Sequence, residues 1–129
     1  MSILKIMNKI KLSLDIGYCF DVLAINEVKY LKAKSLESQD KLLGNISDVA
    51  GEIIEQVGLD LFNKVIESEE YQRLFDSNLK TFELVGMAEE TEGIGQLVAI
   101  ANIERFKDKT RLQRKFFNTE PTEVKISKV

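Results

Sequence analysis

The chain has 129 residues, 44% of them apolar and 30% charged, with a net charge of -3, no histidine, no tryptophan and one cysteine. That length and balance describe one soluble globular domain with a real core, not a disordered chain. They rule out His-based catalysis, His-ligated metal sites and an intrachain disulfide, and they make Cys19 a small apolar residue suited to a reducing compartment.

Residues 1–11 mix apolar and basic side chains. Lys5, Lys9 and Lys11 interrupt any secretory signal, and no later run reaches membrane-spanning length, so a cytoplasmic protein is expected. Residues 9–14 and 123–127 alternate polar and apolar and read as two short strands that could pair. Pro121 is the only proline, so 120 residues run without the strongest helix breaker.

The first helix is predicted from Asp15, a good N-cap, to about Ala33. Ile16, Phe20, Leu23, Ala24 and Leu31 form one stripe, and Ile25, Val28, Val22, Tyr18, Cys19 and Tyr30 cover the other sides. A helix apolar all round is surrounded by other helices. The second helix is predicted over about 39–57, with Leu42, Leu43, Ile46, Val49, Ala50, Ile53 and Val57 on one face and Gly58 as its stop. Gly44, Ser47 and Gly51 form a small-residue flank where another backbone could approach. A third stretch starts near Leu59 and breaks at Ser68, which precedes Glu69 and Glu70 as a helix start should. Tyr71, Leu74, Phe75, Phe82 and Val85 then follow one face, with Asn78 in the middle. Residues 89–95 read as a turn. The last helix is predicted from about Ile94 to Phe117, and Arg105 and Asp108 interrupt its stripe of Ile94, Val98, Ala101, Leu112 and Phe116. A second apolar face carries Ile103, Phe106 and Phe117. The expected fold is all-α, an antiparallel bundle of four main helices plus a short extra one.

Charge is segregated along the chain. Residues 1–34 sum to +3, residues 35–104 to -11 and residues 105–129 to +5. Basic ends around an acidic middle predict that the ends fold back on it, or that they meet an acidic partner.

The functional lead is a set of polar residues placed among apolar ones: Asp21, Asn26, Glu27 and Lys29 on the first helix, Asn78, and Asn102, Arg105 and Asp108 on the last. An unpaired buried charge costs several kcal/mol, so Arg105 needs Asp21, Glu27 or Asp108. Such a group is either an ionic network that sets helix register or a cradle for a small anion or polar ligand. Three other chemistries are weaker. The acidic pairs Glu52/Glu55, Glu67/Glu70 and Glu89/Glu92 have the i,i+3 spacing that binds Mg²⁺ in all-helical nucleotide pyrophosphohydrolases, but the 100° helical step turns Glu52 and Glu55 to solvent. The run Arg105, Lys107, Lys109, Arg111, Arg114 and Lys115, with Phe106, Phe116 and Phe117, could meet nucleic acid, yet a basic last turn also suits the helix dipole. Cys19 has no base to activate it, and Gly93-Ile94-Gly95 is too short for a phosphate loop.

Ile16-Gly17 with Asp21, Leu23, Ile25, Val28 and Lys29 resembles the opening helix of a group of small all-helical proteins of unknown function from bacteria and bacteriophages, often encoded near glycan or lipopolysaccharide genes. Asn78 with Phe82 resembles that group's asparagine and, four residues on, an aromatic that is usually tryptophan. Asn102-Ile-Glu-Arg105 resembles its asparagine-x-x-arginine step. The chain departs from the group at Phe82, where tryptophan is usual, and at Val85, where an acidic residue is expected. The resemblance implies a helical fold and a polar cluster, not a reaction.

The expected site gathers Asp21, Lys29, Asn78, Asn102 and Arg105 in one interior or cleft region. The expected protein is a non-enzymatic interaction or binding protein without cofactor or membrane contact. It would take a small anionic or sugar-like ligand and pair as a homodimer through extra apolar faces of the first or last helix. The alternatives are a Mg²⁺-dependent nucleotide hydrolase and a nucleic-acid-binding protein.

Overall fold

A computed structural model describes residues 14–87 and 92–118. Five helices follow in order: α1 Ile16–Lys32, α2 Leu36–Val57, α3 Leu59–Ile66, α4 Glu69–Met87 and α5 Ile94–Phe117. The fold is all-α, with no strand among the described residues. Apart from Leu14, the strand readings at 9–14 and 123–127 lie outside the described residues.

Local chemistry sets the helix ends. Asp15 and Ala33 flank α1 as expected, although the Asp15 side chain makes no capping hydrogen bond to it. α2 begins three residues before its expected start, because Ser35 caps it by accepting a hydrogen bond from the Ser38 N–H at 3.1 Å. Its first turns are polar, so apolar spacing alone does not reveal them. Gly58, at φ 88°, takes the left-handed turn that separates α2 from α3. Ser68 joins α3 to α4 from both sides: its hydroxyl donates to the Val65 carbonyl at 2.5 Å and accepts from the Tyr71 N–H at 3.1 Å. Asn118, in the left-handed region at φ 51°, closes α5.

α4 and α5 share the most extensive packing, and α1 packs on α2, α4 and α5. Phe20 of α1 is fully buried at the centre. Its ring meets Phe62 at 5.9 Å, Tyr71 at 6.2 Å and Phe117 at 6.2 Å between centroids. Burying such a side chain stabilises the fold by about 1.5–3 kcal/mol. Leu23, Ala24, Ile53, Val65, Leu74 and Leu112 complete the core. Leu31 leaves the expected stripe and is exposed in the last turn of α1. On α4 the buried face runs through Tyr71, Leu74, Asn78 and Thr81, and Phe82 and Val85 are exposed in the open last turns.

The close backbone approach occurs at Gly17, not at the flank of α2. A Cβ at Gly44 or Gly51 would meet nothing within 4 Å. A Cβ at Gly17 would lie 2.8 Å from Gln113 Oε1 and 3.2 Å from the Lys109 carbonyl oxygen. The Gly17 N–H, in the first turn of α1, donates to Gln113 Oε1 at 3.0 Å. A buried side chain of α5 thus satisfies a helix-terminal donor that has no partner within its own helix.

These contacts predict opposite outcomes for two alanine substitutions. Gly17→Ala destabilises by about 1–3 kcal/mol, because the clash with the buried Gln113 side chain, beside the close Lys109 carbonyl, outweighs alanine's helix preference. Gly51→Ala, in open space, stabilises by about 0.5–1 kcal/mol. Urea denaturation of both variants measures the signs.

Candidate functional site

Asp21 lies one turn after Gly17 on the buried face of α1 and is 2% exposed. Two helices bring it donors. From α5, Arg105 donates through Nε to both carboxylate oxygens at 3.2 and 3.3 Å and through Nη2 to Oδ2 at 2.9 Å. From α4, Asn78 Nδ2 donates to Asp21 Oδ1 at 2.8 Å and to the Leu74 carbonyl of its own helix at 3.0 Å. On the outer side, Asn102 accepts from Arg105 Nη1 at 3.3 Å. Asp21, Asn78, Asn102 and Arg105 therefore form one connected group across α1, α4 and α5.

Lys29 does not join them. It is exposed and makes no hydrogen bond or ion pair among the described residues. The eight residues from Asp21 to Lys29 turn the side chain about 80° around α1, away from the seam with α5.

The other misplaced polar residues have separate partners. Asn26 donates to the Val22 carbonyl at 2.9 Å. Glu27 accepts from the Tyr71 hydroxyl, and burial first, then Glu27, hold that phenol well above its ordinary range. Asp108 accepts from the Ser77 hydroxyl and from Arg111 Nη1 at 2.6 Å. With Glu27 and Asp108 engaged elsewhere, Arg105 bonds Asp21. Sequence reasoning missed Ser77, Tyr71 and Gln113 as polar partners, since none breaks an apolar stripe in a way that names its neighbour.

The Arg105 side chain is 29% exposed, and it lines two clefts. One, of about 180 Å³, is mostly apolar and lies between Ile25, Val28, Asn78, Thr81, Phe82 and Arg105. The other, of about 170 Å³, is lined by Asp21, Asn102, Arg105, Phe106 and Lys109.

Among the described residues the carboxylate pairs do not converge. Glu52, Glu55 and Glu67 are exposed, while Glu70 is buried and accepts from Lys115 Nζ at 2.5 and 3.2 Å. Among the described residues, no group of three or more His, Cys, Asp or Glu side chains is placed to hold a metal ion; Glu89 lies outside them. The basic run is divided. Arg105 turns to Asp21, whereas Lys107, Arg111 and Lys115 bond Glu104, Asp108 and Glu70. Lys115–Glu70, and Lys32–Glu83 at 3.1 Å, tie the basic ends to the acidic middle. Burial first, then Glu52 and Asp15, push the Cys19 thiol up, which keeps it protonated and unreactive. No helix among the described residues is long and apolar enough to cross a membrane.

Arg105→Met alone leaves the Asp21 carboxylate buried with Asn78 as its remaining donor, and it costs about 3–5 kcal/mol. The double variant Asp21→Leu/Arg105→Met removes both charges and recovers most of that loss. A double-mutant cycle in urea measures the coupling; additive losses would show that the two groups act independently. No protein-family model, curated protein or solved structure matches this chain.

Proposed function

We propose that this chain is a non-enzymatic binding protein that takes a small anionic or sugar-like ligand at the open edge of the Arg105 group. The supporting observation is the two-sided environment of one guanidinium. Its inner edge is neutralised by buried Asp21, and its outer edge is held by exposed Asn102 between two clefts. A guanidinium has five N–H donors in a fixed plane, and Nε, Nη1 and Nη2 each direct one to a protein acceptor here. Two N–H groups are left for a ligand oxygen. The positions that carry the resemblance to small helical proteins of bacteria and bacteriophages support this reading, since Asp21, Asn78, Asn102 and Arg105 are among them. The proposed setting is the cytoplasm, and the proposed architecture is an antiparallel bundle with α3 as its short extra helix. The short 33–35 connection and the contact of α1 with three other helices support that arrangement.

The test uses Asp21→Leu/Arg105→Met, which leaves no stranded charge. In a thermal-shift panel of small anions and monosaccharides, at least one compound raises the melting temperature of the unmodified protein. The double variant keeps its helical circular dichroism and loses that shift. If no compound acts, or the shift survives in the variant, the group only sets helix register.

A second reading rests on a different surface. Ile100, Ile103 and Phe106 follow at three-residue steps on α5, within about 120° of one another, and are each 55% exposed. This row suits a second copy of the chain. Sedimentation of the unmodified protein then shows a dimer, and Ile100→Glu/Ile103→Lys shows a monomer of unchanged helicity. A monomeric unmodified protein would refute the pairing.

A further inference from the structure

The polar cleft lies between α1 and α5, and its charged side chains are Asp21, Arg105 and Lys109. Asp21 is already engaged by Arg105 and Asn78, so the lining carries one positive charge in excess. That charge belongs to Lys109. Its ammonium lies 5.0 Å from the centroid of the Phe106 ring and 5.6 Å from that of Tyr18. No hydrogen bond or ion pair engages it among the described residues. Ring faces attract a cation without using its N–H donors, so the ammonium is held in place with three donors uncommitted. Arg105, one turn earlier on α5, contributes its two remaining N–H groups, and Asn102 lies a further turn back with its side-chain amide.

We propose that this cleft receives one oxyanion group, a phosphate ester or a carboxylate, between Arg105, Asn102 and Lys109. Resting on the binding function proposed above, the assignment narrows the ligand to one that presents such a group, and it places Lys109 where Lys29 was expected. The excess charge selects an anion over a neutral sugar hydroxyl. The volume of about 170 Å³ has room for about five waters, enough for a phosphate or a short carboxylate group. The mostly apolar cleft on the other side of Arg105 would take the rest of the molecule, with Phe82 at its wall.

The experiment titrates inorganic phosphate and, separately, acetate into the full chain at low ionic strength, following the side-chain NMR signals of Lys109, Asn102 and Arg105. Saturable shifts confined to those three are expected, and the tighter of the two anions identifies the class. Lys109→Gln weakens binding by about tenfold or more, and Lys109→Arg restores it. If neither anion produces saturable shifts in the unmodified protein, or Lys109→Gln binds as well as the unmodified chain, the oxyanion site is refuted. Should a neutral sugar still bind in an Arg105-dependent way, the binding function stands and only this site falls. Should nothing bind in an Arg105-dependent way, both fall.

Discussion

One buried carboxylate determines how three helices meet. The burial of Phe20, Leu74 and Leu112 favours collapse, but apolar contact tolerates sliding and rotation. Asp21 tolerates neither. Taking its charge out of water costs several kcal/mol, and that cost is offset only when good donors arrive with correct geometry. Arg105 and Asn78 supply them from different helices. A slip of α5 by one residue would turn Arg105 by 100° and leave the carboxylate without its guanidinium. The same group therefore penalises alternative packings of α1, α4 and α5 together.

Gly17 makes that approach possible. Without a side chain there, α1 comes close enough to α5 for the Gly17 N–H to reach Gln113. The Lys109 carbonyl forms part of the same contact, and the Lys109 side chain leaves the same turn of α5 to pass over Tyr18. A small residue in the first turn of α1 thus positions the polar cleft as well as the core. Ser77–Asp108 and Glu70–Lys115 add polar ties between α4 and α5 further along. The ammonium of the second tie is exposed, so water screens that pair more than the Asp21 group.

Periodicity located α1 and α5 closely, since both carry helix signals at each end and apolar residues along their length. It also singled out Asn78 and Arg105, because a polar side chain inside an apolar stripe conflicts with the pattern around it. The start of α2 was not legible: a serine cap followed by polar turns shows no apolar period. Phe82 and Val85 share a helical face with Leu74, but whether a residue is covered depends on where its neighbours end, which lies in tertiary structure. Lys29 is grouped with Asp21 as a polar residue on an apolar helix, although the 80° between them decides against it. Lys109 read as one cation in a basic run. It differs from Lys115, which meets Glu70 of α4, and from Arg111, which meets Asp108 on its own helix, in that no carboxylate pairs with it among the described residues.

The two sides of Arg105 contribute differently to stability. On the inner side, the nearly inaccessible Asp21 carboxylate affects folding by several kcal/mol when its guanidinium is removed. On the outer side, the hydrogen bond to exposed Asn102 competes with water and is worth about 0.5–1.5 kcal/mol at most. If setting register were the whole role of Arg105, its outer side would need no partner, since Asp21 and Asn78 already fix the seam. What Asn102 changes is orientation: by accepting from Nη1 it restrains the plane of a guanidinium that lines both clefts. Lys109 is held in a comparable way by two rings that leave its donors unused. Two cations one turn apart, each restrained by contacts that spare part of its hydrogen-bonding capacity, are the surface that the proposed anion would meet, and the energy that restrains them comes from the same packing of α1 against α5 that buries Asp21.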